Sequence, residues 1–384
     1  MKKIIFGAMA AAALLACSKD QVIEQNRAND EITFSIVADN QTKADAVYCA
    51  NNLMGEFDVY GTYNDGTTTS WYFQGDHIAN VGGSWVNQTT TRYWTTGTHD
   101  FYAIVNGTMN VTAVGETPAA PTVNFTPATT VSAQKDLLYA VATGKTKSDN
   151  AVALNFRHAL SQIEFKAKNT NPQLYVEITD VKVGQTPGTG VFTFPTASTA
   201  TNFENHSQNT VADPALNTGS WTSNTPADYK ASFTKVAVAG NNTAVGLTLS
   251  ADKDNVANSM LLIPATTTAW TPAAAETTFD GSYLAVNCKI YNVAGSEYAA
   301  SDVCLHNGWA VIPVAFTWEP GKKYIYTFVF GAGNGGYDGG DSDGDGDGET
   351  DPEPSDDEVL TPITYEVSVD DFQKGVDSDV DMKF

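Results

Sequence analysis

The stretch Lys-Lys-Tyr-Ile-Tyr-Thr-Phe-Val-Phe, residues 322–330, decides the fold class of this sequence. Aromatic and β-branched side chains fill it, and these favour strands over helices. Similar runs bounded by Gly, Asn, Asp and Pro recur at Glu56–Tyr63, Trp71–Phe73, Asp100–Val105, Ala151–Ala167, Leu174–Val183 and Leu284–Tyr291. This pattern predicts an all-β protein made of β-sandwiches, with one helical candidate at Gln134–Ala142.

Turn signals and shifts in composition predict two tandem sandwich domains followed by a tail. The turn cluster Asn169–Pro172 sets the boundary, so we expect domains at residues 44–168 and 169–334. Residues 335–384 are rich in Gly and Asp, and we expect a flexible acidic linker there that ends in a strand.

The charge of the chain is concentrated in this tail. The 384 residues include 44 acidic and 21 basic side chains, for a formal net charge of −23. Residues 335–384 alone hold seventeen acids and two lysines, a net charge of −15. An acidic protein of this kind is a poor candidate for binding nucleic acid or anionic lipid by charge, because both require a basic face.

Residues 1–16 have the layout of an export signal. Lys2 and Lys3 precede an apolar run of thirteen residues, Ile4–Ala16, which is shorter than the roughly 20 residues needed to span a bilayer. The run ends in Leu14-Leu15-Ala16-Cys17, which resembles the lipobox of bacterial lipoproteins. That resemblance implies that Cys17 is diacylated and becomes the new N-terminus, anchored in the membrane by its lipid. An ordinary secretion signal with a chance cysteine is the alternative.

Two segments near the ends of the chain carry the same strand pattern. Apolar residues alternate in the first segment at Ile32, Phe34, Ile36 and Ala38, and in the second at Ile363, Tyr365, Val367 and Val369. Because alternate side chains enter the same pockets, both strands could fill one groove. A C-terminal strand from another molecule could therefore replace the first strand by β-augmentation. Pairing of each strand within its own subunit is the alternative.

Such an exchange requires that the first strand is removed. It also requires a donor strand whose tether is long enough to reach the groove of a neighbouring subunit. Lys43 and Ala44 lie in a polar loop just beyond the first strand, where a trypsin-like protease could cut and release residues 17–43. The Gly- and Asp-rich residues 331–359 would then serve as an extended tether for the donor strand.

Motifs for catalysis, cofactors and metals fail on inspection. Residues 331–336 fit G-x-G-x-x-G, but an acidic stretch follows where a dinucleotide site needs a helix. Asp341, Asp343 and Asp345 open like an EF-hand loop, yet proline stands at the position of the essential glutamate. Weak calcium binding by these carboxylates remains one interpretation and a solvated spacer the other. We expect no cofactor and no enzymatic activity.

Cysteine and tryptophan leave two further alternatives open. Cys288 and Cys304 lie on neighbouring strand-like runs and could form a disulfide or remain unpaired. The seven tryptophans could include a face that stacks on sugars, although core packing is their commoner use. A monomeric surface lipoprotein that binds glycans is therefore the second functional hypothesis.

An ordered set of segments resembles the bacterial fimbrillin family. Besides the lipobox and the Ile32–Asp39 strand, these are residues 92–94 (Arg-Tyr-Trp), 100–103 (Asp-Phe-Tyr-Ala), 136–140 (Asp-Leu-Leu-Tyr-Ala), 156–163 (Phe-Arg-His-Ala-Leu-Ser-Gln-Ile), 260–264 (Met-Leu-Leu-Ile-Pro), 318–324 (Trp-Glu-Pro-Gly-Lys-Lys-Tyr) and 360–364 (Leu-Thr-Pro-Ile-Thr). The set is collinear over nearly the whole chain.

The resemblance implies two transthyretin-like β-sandwich domains in a lipoprotein subunit of type V pili. Such subunits are exported to the outer membrane, cut after an Arg or Lys behind the first strand, and polymerised by strand exchange into surface fimbriae. Thr361–Phe372 would be the donor segment, and Lys43 stands where Arg is common in the family. The expected partners are other pilin subunits, the protease and an unknown surface ligand. The C-terminal extension favours a stalk subunit over a tip adhesin, and an anchor subunit that keeps its lipid is the alternative.

Overall fold

The computed structural model describes residues 30–36, 55–111, 118–148, 150–196, 198–199, 219–223, 225–248, 259–273, 277–293, 298–332, 336–340, 351–359, 363–371 and 381–382. Within these ranges the chain is almost entirely extended, which confirms the all-β prediction. A 3-10 turn at Val131–Ala133 is the only helical element among the described residues. None of the described helices is long and apolar enough to cross a membrane.

The first ten strands come from the N-terminal part of the chain. They are β1 (Phe34–Ile36), β2 (Glu56–Asn64), β3 (Thr69–Val81), β4 (Ser84–Asn87), β5 (Thr98–Val105), β6 (Met109–Asn110), β7 (Thr122–Phe125), β8 (Leu138–Lys145), β9 (Val152–Leu154) and β10 (Arg157–His158). Six of them form an antiparallel sheet in the order β10-β8-β5-β2-β3-β4. The short parallel pair β1-β9 shares a core with this sheet.

Thirteen strands follow. They are β11 (Ser161–Asn169), β12 (Leu174–Pro187), β13 (Gly190–Thr193), β14 (Ser220–Ser223), β15 (Pro226–Ala239), β16 (Val245–Gly246), β17 (Met260–Leu262), β18 (Tyr283–Asn292), β19 (Val303–Pro313), β20 (Lys322–Phe330), β21 (Tyr337–Asp338), β22 (Ile363–Asp371) and β23 (Asp381–Met382).

Two sheets of this second set enclose the largest core. One has the order β16-β11-β20-β22-β23, and the other has the order β15-β12-β18-β19-β21. Residues of both sheets meet in one cluster, in which Phe165, Phe328 and Val286 are fully buried. The stretch that decided the fold class is β20, which lies between parallel β11 and antiparallel β22. A central strand has little exposed surface, which explains its nearly continuous apolar sequence.

The change from the first sheet to the later ones lies earlier than the predicted boundary at residue 168. β10 still pairs with β8, whereas β11 pairs with β20 along eight residues. The change of sheet therefore falls between His158 and Ser161. A further sheet in the order β14-β13-β7-β6 combines strands from both sides of this point.

One expectation about secondary structure was wrong. The second half of the helical candidate Gln134–Ala142 is the start of strand β8, which pairs with β5 and β10. Its residues Leu138–Ala142 are all buried. The acidic tail is not a free linker throughout. Its residues 351–359 run along the backbone of residues 336–340, and Val359 is only 7% exposed.

A shared hydrophobic core joins the first sheet to the later strands. Leu261 on β17 belongs to this core, so its substitution tests the assignment. This cluster contains Tyr60 and Tyr139 from the first sheet with Phe192 and Leu261 from later strands. We expect Leu261→Ala to lower the free energy of unfolding by about 2–5 kcal/mol, because it leaves a cavity. The measurement is chemical denaturation. Leu305→Ala removes the same atoms from a side chain that is 40% exposed and should cost less than about 0.5 kcal/mol. Equal losses in both variants would contradict this assignment of the core.

Candidate assembly site at the two terminal strands

The N-terminal segment, residues 30–36, is hydrogen-bonded on both of its edges. On one edge Ile32 N donates to Arg92 O at 2.8 Å, and Trp94 N donates to Asp30 O at 2.7 Å. On the other edge Val152 N donates to Thr33 O at 2.8 Å, and β1 runs parallel to β9. The segment therefore fills a slot between residues 92–94 and β9. Both walls would carry unpaired backbone groups without it.

The inward side chains of this segment complete the core below it. Ile32 and Phe34 are 3% and 5% exposed, as the alternation predicted, and Ile36 packs against the same core. The ring of Phe34 makes edge contacts with three other phenylalanines, at centroid distances of 6.3 Å to Phe57, 5.9 Å to Phe73 and 5.5 Å to Phe101. Aromatic pairs of this geometry add stability beyond their buried area.

A buried ion pair holds the Arg92 wall of the slot in place. Arg92 donates to both oxygens of Asp76, from Nε at 2.8 Å and from Nη2 at 2.9 Å, and Asn87 Nδ2 donates to the same carboxylate at 3.0 Å. The Asp76 side chain is 3% exposed. A paired guanidinium and carboxylate fix each other's orientation, so the Arg92 carbonyl stays directed at the N-terminal segment.

The floor of the slot next to Phe101 contains a buried histidine. His99 stacks on Phe101 at 6.0 Å and meets Trp94 edge-on at 5.2 Å. Its Nε2 and the Thr95 hydroxyl are 3.1 Å apart. Burial lowers the pKa of His99 below its usual value, because a charged imidazole would be poorly solvated here.

The C-terminal strand β22 is docked on its own chain. It pairs with β20 from Phe330↔Ile363 to Lys322↔Asp371. Ile363 is 1% exposed, whereas Tyr365, Val367 and Val369 are only partly buried against the same core. Lys168 Nζ lies 2.7 Å from Glu366 Oε2. On its other edge, among the described residues, β22 pairs with β23 only at Val367 and Ser368.

The structure does not bring the two terminal strands together within one chain. β1 belongs to the core that contains Phe57 and Phe101, and β22 belongs to the core that contains Phe165 and Phe328. Each strand thus pairs within its own subunit here, which is one of the two interpretations that the sequence allowed. A contact between the two sites would therefore require two molecules.

Several predicted site residues lie outside the described residues. These are Cys17, Ala38, Lys43, Ala44, Asp341, Asp343 and Asp345. Within the described ranges no group of three or more His, Cys, Asp or Glu side chains could hold a metal ion.

The disulfide between Cys288 and Cys304 is not formed. Both thiols are free, with Cys288 buried and Cys304 exposed. The register explains this result, because Cys288 lies opposite Gly308 while Cys304 lies opposite Tyr291. The two cysteines are on neighbouring strands, as expected, but they are not cross-strand partners.

The tryptophans offer no exposed stacking face. Trp94, Trp270, Trp309 and Trp318 are buried. The other three, Trp71, Trp85 and Trp221, are partly buried and pack against the cores. The tryptophans therefore serve core packing. The glycan hypothesis is left without the exposed tryptophans that suggested it.

The walls and floor of the slot were missed as a site by the sequence reasoning. Alternation predicts that Phe57, Phe73 and Phe101 are buried, but not that they surround Phe34. The strand-like run Ala151–Ala167 includes β9, but nothing in it indicates a parallel pairing with the N-terminal segment.

The sequence of residues 42–342 matches the fimbrillin-like protein family. No curated protein is similar enough in sequence to match the chain. The matched range ends before the C-terminal strand and starts after the N-terminal segment. Both terminal strands therefore lie outside the part of the chain that matches the family.

Several solved structures of bacterial proteins are similar to this chain over most of its length. A candidate cell adhesion protein from Parabacteroides distasonis has a TM-score of 0.45 at 13% identity, covering 89% of this chain and 98% of that one. One from Bacteroides ovatus has a TM-score of 0.42 at 15% identity, with coverages of 92% and 99%. The fimbrial anchor protein Mfa2 from Porphyromonas gingivalis has a TM-score of 0.36 at 10% identity, with coverages of 89% and 98%.

Phe34 tests the structural importance of the N-terminal segment. We expect Phe34→Ala to lower the free energy of unfolding by about 3–5 kcal/mol, because it removes three aromatic contacts and leaves a cavity. Denaturation monitored by near-UV circular dichroism measures the loss. Ile36→Ala, at a half-buried position of the same strand, should cost clearly less. Equal and small effects would mean that the segment is not part of the core.

His99 predicts a pH dependence of stability. Burial in the folded state lowers the pKa of the His99 imidazole, so the unfolded chain binds the proton more readily. Stability should therefore rise with pH up to about 6.5, the pKa of unfolded histidine, by at most ~1.4 kcal/mol per pH unit from this residue. His99→Phe should reduce the slope measured in denaturant titrations between pH 5 and 7.5. Thr98→Val, at the exposed neighbouring position on β5, leaves the imidazole and its Thr95 contact in place and should keep the slope.

Proposed function

The chain belongs to the fimbrillin-like family, and from this premise we propose that it is a structural subunit of surface fimbriae that serves cell adhesion. It is exported as a lipoprotein acylated at Cys17 and matured by a trypsin-like protease that cuts between Lys43 and Ala44. It polymerises when the C-terminal strand of one subunit replaces the N-terminal segment of the next.

The docking of the N-terminal segment is the observation that carries this proposal. The segment contributes Ile32 and Phe34 to the core and bonds to two separate walls through its backbone. Its removal would leave an apolar slot with unpaired donors and acceptors on both sides. Such a slot is a template for a strand from another molecule.

The C-terminal strand matches the slot in pattern. Aligning the two Ile-Thr-aromatic sequences places Ile363 at the position of Ile32, Tyr365 at that of Phe34 and Val367 at that of Ile36. Tyr365 is only partly buried on its own chain, whereas the Phe34 position is 5% exposed. Transfer would thus bury more of the tyrosine ring, which favours exchange through the hydrophobic effect. The partner is a second copy of the chain or a related subunit.

The same two strands support a stalk position in the fibre. A subunit with both a removable N-terminal segment and a C-terminal donor can accept one neighbour and donate to the next, as a stalk subunit must. The lipid at Cys17 would hold the precursor in the outer membrane until the cut after Lys43 releases it. We assign no enzymatic activity, since the family is one of fimbrial and adhesive proteins.

Limited proteolysis tests the proposal directly. Residues 17–384 treated with trypsin should be cut after Lys43 and should then form polymers visible by electron microscopy. Lys43→Gln should block the cut and the polymers, and Lys43→Arg should retain both. Val367→Asp should prevent polymerisation by placing a charge on the face that enters the slot, while Ser368→Asp on the opposite face should not.

One result would sink the idea of strand exchange. If the N-terminal segment is fully removed, as mass spectrometry can establish, and light scattering still finds only monomers, the slot does not capture a second chain. Polymers that persist after deletion of residues 360–384 would reject the C-terminal strand as donor.

A further inference from the structure

Residues 351–359, which we call the clamp segment, lie against residues 336–340 instead of extending into solvent. Asp338 N donates to Asp357 O at 2.7 Å, Val359 N to Gly336 O at 2.8 Å, and Glu353 N to Gly339 O at 2.8 Å. Tyr337 and Glu358 form an antiparallel bridge. Pro352 is buried, and Val359 reaches the main core of the second set of strands.

Lys182 anchors the beginning of the clamp segment. Its Nζ lies 2.8 Å from Asp351 Oδ1 and 3.2 Å from Asp228 Oδ2, and its side chain is 6% exposed. Tyr283 donates from its hydroxyl to Asp228 at 3.0 Å, which holds that carboxylate beside the lysine. The nearby ammonium lowers the pKa of Asp351. If the clamp segment left, Asp228 would be the one remaining ion-pair partner of Lys182 among the described residues.

The contacts that hold the clamp segment are separate from those that hold β22. The backbone bonds of the segment go to residues 336–339, and its ion pair goes to β12. β22 is held by β20 and by the ion pair of Glu366 with Lys168. Nothing among these described bonds requires the two elements to undock together.

We propose that the clamp segment stays docked when the C-terminal strand leaves its own chain, so that the donor is presented from a fixed point at Val359. This inference rests on the proposed strand exchange. The donor strand then departs from the body of the subunit itself, and the acidic tail does not act as a long tether.

The position of the clamp segment determines the reach of the donor. Three residues separate Val359 from Ile363, which span at most about 14 Å. Without the clamp, 22 residues separate Gly340 from Ile363, which span up to about 80 Å. The docked clamp therefore shortens the maximum reach of the donor strand from about 80 Å to about 14 Å. It also limits the orientations that two joined subunits can take.

A reversible cross-link across the bridge between Tyr337 and Glu358 tests the proposal. The hydrogen bonds on either side of this bridge mark it as a close pair, with Cα atoms about 4.5 Å apart, which suits a disulfide. The variant is Tyr337→Cys/Glu358→Cys, with Cys17→Ser, Cys49→Ser and Cys304→Ser, so that the buried Cys288 is the one native thiol left. The reduced form of the same protein is the matched control, because it shares the lost contact of Tyr337 with Trp270.

After processing with trypsin, the oxidised and reduced forms should polymerise at rates within about twofold, measured by light scattering. Loss of polymerisation in the oxidised form alone, or a tenfold slower rate, would overturn the clamp and leave strand exchange intact. If neither these forms nor the unmodified protein polymerises after complete processing, the proposed function fails and the clamp with it.

Lys182→Met provides a second measurement that does not depend on the cysteines. It leaves Asp228 and Asp351 facing each other without the cation between them, so the clamp should open. We expect polymers that bend several-fold more easily, seen as a shorter persistence length in electron micrographs. Lys289→Met, at an exposed position on β18, should leave the stiffness unchanged. Fibres of Lys182→Met as stiff as the unmodified fibres would overturn the proposal.

Discussion

A strand can leave a sandwich only if another strand takes over its backbone bonds and its core positions. This constraint applies most strongly to the N-terminal segment. Its backbone is hydrogen-bonded on one edge to residues 92–94 and on the other to β9. Phe34 fills the core between these two walls. Neither wall can simply close over the gap. The Arg92 wall is held by the buried carboxylate of Asp76, and β9 lies on the far side of the missing strand. The backbone groups and the core of the slot are therefore satisfied only when a strand fills it.

The core that contains the C-terminal strand β22 depends much less on that strand. β20 keeps its parallel partner β11 along eight residues whether or not β22 is present. Most of the core below it comes from β11, β12, β18 and β20. Of the side chains that β22 directs inward, Ile363 is fully buried while Tyr365, Val367 and Val369 are only partly so. The two strands therefore differ. The core around Phe34 requires a strand in the position of β1, whereas the core below β22 stays largely covered when β22 leaves.

Local sequence patterns predicted which segments form buried strands. They did not predict contacts between residues that are far apart in the sequence. The apolar run in β20 and the alternation at Ile32, Phe34 and Ile363 identified buried strands correctly, since burial leaves a direct mark on composition. Gln134–Ala142 was misread because an uninterrupted buried strand and a short buried helix have similar composition. The docking of the clamp segment could not be foreseen from its acidic sequence. Its partner Lys182 lies 169 residues away in the chain, and no spacing rule connects them.

The acidity of the tail has a more local meaning once its contacts are known. Two of its carboxylates are matched by lysines of the body, Asp351 by Lys182 and Glu366 by Lys168, so charge repulsion alone does not keep the tail away from the sandwich. β22 is covered on its outer edge only at Val367 and Ser368 among the described residues, and an open edge invites pairing with other copies. Acids along that strand oppose such pairing between two donors, which carry the same charge. The slot differs, because loss of the N-terminal segment removes Asp30 and leaves Lys147 without that partner. Charge therefore favours entry of the strand into a slot over pairing of the strand with its own copies.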